Sequence, residues 1–217
     1  MRNDTIWIGA DSKIISKEGG PSLTPRCKII KANNFVFVHA GLFGYGGYDI
    51  DSIFYYCYGI GRNYYNTRIL FKDLTIKVLY QIASEKVTRD PQKFISGKKD
   101  TDYVSTVFAT YETYKAKFIS YVYKATIGKN DGGVYTITNV DSTIIESSLG
   151  ATYTYLGGVY DAIILMRPNK NEDIPTFINN LIKIEIKAEP NKVGYPINII
   201  RIAKDGIKWI QKKQPCD

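Results

Sequence analysis

The order of apolar and polar positions divides the chain into blocks of different period. From Thr5 to Ile15 a nearly apolar run, with Ile6, Trp7, Ile8 and Ala10, predicts a buried strand, and it ends in Asp11, Ser12 and Lys13. After the Gly/Pro-rich turn 17-KEGGPSLTP-25, two more strands follow, 27-CKIIKA-32 and 35-FVFVHAG-41, joined by Asn33 and Asn34 as a tight hairpin. Over residues 49–66 the period lengthens: Ile50, Ile53, Phe54 and Cys57 recur at helical spacing, and Asp49 stands where an N-cap would. A second helix is predicted from Asp73 to about Val87, with Leu74, Val78, Leu79, Ile82 and Ala83 on one face. Strands return at 104–111 and 117–125 around a polar turn at Glu112 and Thr113, and extended chain follows at 133–140. A third helix starts after Asp173 with Pro175 in its first turn, turning Phe177, Ile178, Leu181 and Ile182 inward. The last pair of strands, 196–203 and 207–211, closes around Lys204, Asp205 and Gly206.

Helices and antiparallel strands in separate blocks predict one α+β domain over residues 1–217, with two sheets packed face to face and helices outside. No repeat, linker or low-complexity tract divides it. Composition agrees with an ordinary folded chain: 44% of residues are hydrophobic, 23% are charged, and 18 tyrosines favour pleated sheet over a helical bundle. The formal charge of +8 raises the question of an anionic partner. The basic groups are scattered, with only short runs at 97-GKKD-100 and 211-QKKQP-215, so solubilising charge is expected and nucleic acid is not. The longest apolar run, residues 35–43, is shorter than the roughly 20 residues a membrane helix needs, so no membrane partner is expected. Residues 1–4 are polar and carry no secretion signal, which predicts a cytoplasmic protein unless a signal upstream of Met1 has been removed.

Candidate chemistry is sparse. Cys27, Cys57 and Cys216 are odd in number and lack CxxC spacing, so neither a disulfide framework nor a zinc pattern is expected. Cys27 beside Lys28 reads either as a low-pKa thiol or as a small buried hydrophobe. His39, the only histidine, is embedded in FVFVHAGLF, where a core or pocket-wall role is the commoner case. One His and no thiol pair offer no metal site, and the glycines at 44–47 and 59–61 do not follow the strand–loop–helix order of a phosphate loop. No cofactor is expected.

Five segments together resemble the proteasome β-subunit type of N-terminal-nucleophile hydrolase. The stretch 8-IGADSKII-15 is similar to that family's apolar run ending in Ala-Asp-Ser/Thr-Arg, and 28-KII-30 to its Lys followed by apolar residues. The stretch 38-VHAGL-42 is similar to its Ala-Gly, and 150-GATYTYLGG-158 with 194-GYPINIIRIAKDGIKWI-210 to its Gly-rich segment and closing hairpin. The resemblance implies a four-layer αββα sandwich. It also implies attack on an amide by a Thr, Ser or Cys at the mature N-terminus, whose own α-amine is the base. It gives Lys28 the role of the catalytic lysine, Asp11 that of the residue holding it, and the Gly41 backbone N–H that of oxyanion donor. His39 and Ser12 become residues near the substrate. The implied partners are a peptide or amide substrate and, in rings or stacks, further copies of the chain.

The residues also depart from the family. Its nucleophile stands on a strand before the Asp-bearing one, so in this lineage it would lie upstream of Met1. Cleavage after Asp4 would expose Thr5, but that leaves too little chain to turn back to Lys28. At 189-EPNKVG-194 the family's Asp and Ser are replaced by Pro190 and Val193, and near the Gly-rich segment Leu149 rather than Ser148 fits the position of its Ser. The expectation is therefore an amidohydrolase or threonine-type peptidase lineage whose catalytic residue lies outside this chain. The alternative is a non-catalytic relative used in assembly or binding. The Asp11–Lys28 pair favours the first, because a scaffold could replace a buried ion pair by apolar residues at little cost.

Overall fold

The structure is a computed structural model that describes residues 5–13, 25–41, 44–45, 48–89, 102–129, 135–147, 166, 168, 172–214 and 216. The strands are β1 (Thr5–Asp11), β2 (Ile29–Lys31), β3 (Phe35–Gly41), β4 (Gly44–Tyr45), β5 (Tyr48–Asp49), β6 (Asp102–Glu112), β7 (Lys117–Lys129), β8 (Tyr135–Ser147), β9 (Ile197–Ala203) and β10 (Gly206–Gln211). The helices among the described residues are α1 (Ile50–Gly61), α2 (Tyr64–Arg89) and α3 (Ile174–Ala188). The chain is thus α+β, with antiparallel sheets of three strands, in the order β1-β9-β10, and five strands, in the order β2-β3-β6-β7-β8; β4 and β5 form a separate pair. It divides into two compact units, Met1–Val38, Val107–Ser120 and Ile145–Asp217 in one, His39–Thr106 and Tyr121–Ile144 in the other.

In the first unit β9 is the central strand of the three-stranded sheet. Its run INIIRIA is buried at every position but Arg201, as expected of a strand covered on both faces. On one side Ile200 and Ile202 join Ile29, Val36, Ala109 and Phe118 in a core, with Ile6, Ile8 and Ala10 packed against it. Side chains of both sheets therefore interdigitate there. On its other side β1 meets α3. A Cβ on Gly9 would run into the side chain of Ile178 and lie 3.2 Å from Ile182 Cδ1, so only glycine lets the helix come this close. Helix α3 begins as its sequence predicts. The Asp173 carboxylate accepts hydrogen bonds from Thr176 N (3.1 Å) and Thr176 Oγ1 (2.9 Å), and Pro175 fits the first turn. Gly206, at φ +108°, closes the β9–β10 hairpin in a conformation open to few other residues.

In the second unit α1 starts at the predicted N-cap, Asp49, whose side chain accepts from Asp51 N and Ser52 N, and it buries Ile50, Ile53, Phe54 and Cys57 as the spacing requires. The helix boundary that follows differs from expectation. Instead of one helix reaching about Asn66 and another starting at Asp73, the chain breaks at Arg62 and Asn63 and resumes at Tyr64. Arg62 adopts the left-handed conformation (φ 57°), and Asn63 caps α2 by accepting from Asn66 N through its side chain (3.0 Å) and from Thr67 N through its carbonyl (3.0 Å). The buried face of α2 includes Tyr64, Phe71, Val78, Leu79 and Ile82, but also Thr67 and Thr75. Of these, Thr67 dilutes the helical period over 64–72. The Arg68 guanidinium lies 4.3 Å from the ring centroid of Tyr121, which sets α2 against β7.

Candidate functional site

In the first unit three segments far apart in sequence meet at one carboxylate. Strand β1 delivers Asp11 at its end, where pairing with β9 stops at Asp11 and Ile197. Asp11 Oδ1 accepts from Lys28 Nζ at 2.7 Å. Its other oxygen accepts from Lys13 N at 3.0 Å, a local Asx-type turn, and from Gly194 N at 3.2 Å. The Asp11 and Lys28 side chains are each 15% exposed, so the charges are shielded but not sealed from water. Lys28 is held there because it immediately precedes β2, whose Ile29 is 2% exposed in the core. An ammonium fixed in this way is a preorganised positive charge, able to favour a developing anion or a proton loss from a group beside it.

Ser12 and Lys13 serve neighbouring contacts. Ser12 is fully buried; its N–H donates to Gly194 O (3.3 Å), and its carbonyl accepts from Arg26 N (2.9 Å). Its hydroxyl accepts from Asn198 Nδ2 at 3.0 Å, and Asn198 Oδ1 in turn accepts from Lys213 N at 2.7 Å. Lys13 extends past Gly194, where a Cβ would come within 2.9 Å of its Cδ, and its Nζ donates to the Pro190 carbonyl. The turn 189–194 carries its own backbone bonds, with Lys192 N and Val193 N both donating to Glu189 O at 2.9 Å, and Val193 is buried.

The expectation that the cysteines form no disulfide is overturned. Cys27 and Cys216 are bonded, with Cα atoms 4.7 Å apart and a sequence separation of 189. Cys27 is therefore neither a reactive thiol nor a plain hydrophobe. Counting to an odd total hid the pair, because the third cysteine, Cys57, stands apart in α1 as a buried thiol whose pKa burial pushes up to about 11.

The other two candidate residues belong to the second unit. His39 on β3 is buried, with Nε2 3.1 Å from Asp51 Oδ1 in the first turn of α1. Gly41 ends the same strand at φ +92°, a backbone conformation that L side chains rarely adopt. The Gly-rich segment 150–158, with Ser148 and Leu149, lies outside the described residues. Among the described residues no three His, Cys, Asp or Glu side chains cluster as metal ligands would, and no helix is long and apolar enough to cross a membrane.

Sequence reasoning found Asp11, Ser12 and Lys28 but missed Gly194 N–H and Asn198. Asn198 did leave a signal, a lone amide inside the apolar run INIIRIA, where a buried polar side chain needs a partner. No protein-family model matches this chain, and comparison with curated proteins finds no match, so the geometry at Asp11 is the ground for a functional reading.

Proposed function

We propose that the chain carries the lysine–aspartate centre of an N-terminal-nucleophile amide or peptide hydrolase, in the αββα fold that goes with that chemistry. The observation behind this reading is the convergence of Lys28, Asp11 and Gly194 at 2.7 and 3.2 Å, since each stands in a different one of the segments that resemble the family. Lys28 supplies the fixed positive charge, and Asp11 holds it. The attacking Thr, Ser or Cys, which the family carries on a strand before the Asp-bearing one, has its α-amine exposed by processing. Its hydroxyl or thiol attacks the amide carbon while the α-amine takes the proton. Collapse of the tetrahedral species breaks the C–N bond and passes that proton to the leaving amine, after which water releases the acyl group. On the resemblance alone, the Gly41 backbone N–H takes the oxyanion role.

A second reading, a non-catalytic protein used in assembly or binding, is favoured by one feature. At 189–194 the turn presents a buried Val193 and a Pro190 carbonyl taken by Lys13, where the family places an Asp and a Ser around the amine.

The deciding experiment sequences the N-terminus of the protein purified from its native source, then assays it on fluorogenic peptide and amide substrates beside Lys28→Met. A mature chain that starts with Thr, Ser or Cys one hairpin ahead of Asp11, with hydrolysis falling about 10²-fold or more in Lys28→Met, is expected. A mature chain starting at Met1 with no hydrolysis would replace this reading by the binding one.

A further inference from the structure

Two contacts of the segment after β10 lead to the candidate site. Lys212, Lys213 and Gln214 are exposed. The Lys213 N–H donates to Asn198 Oδ1 (2.7 Å), and the same Asn198 side chain donates to Ser12 Oγ (3.0 Å). Cys216, 2% exposed, is bonded to Cys27, which is half-buried. Cys27 stands between Arg26, whose N–H donates to the Ser12 carbonyl, and Lys28, whose ammonium is on Asp11. The disulfide thus ties down the backbone that carries the site lysine. The amide of Asn198 couples the same segment to the serine beside the site aspartate.

We propose that the Cys27–Cys216 disulfide is a redox latch: its reduction releases the segment after β10 and loosens the corner formed by Ser12, Arg26 and Lys28. The co-reactant is a dithiol. One thiolate attacks Cys27 Sγ, the more accessible sulfur, forming a mixed disulfide and expelling Cys216, which takes up a proton. The second thiol closes on the mixed disulfide and expels Cys27. Two electrons and two protons pass to the protein, and the dithiol leaves as its own disulfide. With the latch open, the Lys213 hydrogen bond to Asn198 remains, and residues 25–28 lose the covalent tie beside Lys28.

The test is hydrogen exchange read by mass spectrometry on the full chain with and without dithiothreitol, with a thiol count and far-ultraviolet circular dichroism alongside. The latch predicts one thiol before reduction and three after, an unchanged dichroism spectrum, and exchange about tenfold faster at Arg26 and Lys213, with α1 and α2 unaffected. Three thiols before reductant would overturn it. So would unchanged exchange at Arg26 and Lys213 once three thiols are free, because the bond would then be a passive staple. Loss of protection throughout α1 and α2 would also overturn it, since the bond would then hold the whole fold. Cys216→Ser should reproduce the reduced pattern without reductant; if that variant does not fold, reduction of the wild-type chain decides. Exchange needs no substrate, so the latch and the hydrolase reading fail or survive separately.

Discussion

Replacing Asp11 by alanine removes one carboxylate and strands three donors. Lys28 Nζ loses its ion pair, and Lys13 N and Gly194 N lose their acceptor. Removing one partner of a buried pair costs about 3–5 kcal/mol, because the remaining charge is left uncompensated. Here both side chains are 15% exposed, so water partly resolvates Lys28, and the lower end, about 3 kcal/mol, is the expectation. For a chain of this size that corresponds to a melting temperature lower by roughly 6–12 °C, at about 2–4 °C per kcal/mol. Lys28→Met should cost less than Asp11→Ala, because Asp11 then keeps both backbone donors. The order of the two variants tests the hub role independently of the absolute figure. Thermal melts of Asp11→Ala, Lys28→Met and the double variant form a cycle, and a coupling of about 0.5–3 kcal/mol is expected between residues in direct contact. A loss below about 1 kcal/mol for Asp11→Ala, the level of an exposed surface pair, would refute the reasoning. So would a larger loss for Lys28→Met.

Other consequences follow from single contacts. Gly9→Ala places a Cβ against Ile178 and should destabilise by about 1–3 kcal/mol, with Ile178→Ala in the same chain partly compensating; additive losses in urea melts would show that α3 does not pack there. Burial raises the Cys57 thiol from 9.0 to about 11, so the folded state holds its proton where the unfolded chain has lost it. The Cys57 contribution to stability should therefore fall as pH rises from about 9 and level off near 11, and Cys57→Ala should remove that part of the slope, leaving the part above about 10 that comes from buried Tyr123, whose hydroxyl pKa is also raised. The Asp205 carboxyl is held below the usual range by its hydrogen bond from Lys208 and by Arg201. That contribution is present above the ordinary carboxylate pKa and fades as pH falls through the lowered one. Since Asp205 is exposed, an NMR titration should show its midpoint return toward the usual value in high salt.

What could be read in the sequence follows from how local each cause is. Asp49 and Asp173 cap the helices they precede, because an N-cap needs only its own next three residues. The β9–β10 hairpin closes at Asp205 and Gly206 for the same reason. The start of α2 depends on Asn63 as a cap, which was legible in principle, and on buried Thr67, which was not, since a polar side chain in a core is decided by its tertiary neighbours. The Cys27–Cys216 bond spans 189 residues, and nothing local to either cysteine marks it.

Asp11, Ser12 and Lys13 show both sides of that limit within three residues. An acid, a hydroxyl and a base at the end of an apolar strand look like a single chemical unit, yet the three side chains leave in different directions for separate partners. Asp11 takes Lys28 and Gly194 N–H, Ser12 takes Asn198, and Lys13 takes the Pro190 carbonyl. Among the described residues their partners cluster at two places: the turn running from Pro190 into the start of β9, and the few residues ahead of β2. A strand end that fastens both places fixes where Lys28 stands relative to β9. That is the geometric condition any chemistry at Lys28 requires, and it explains why polar groups are tolerated where the core is about to begin.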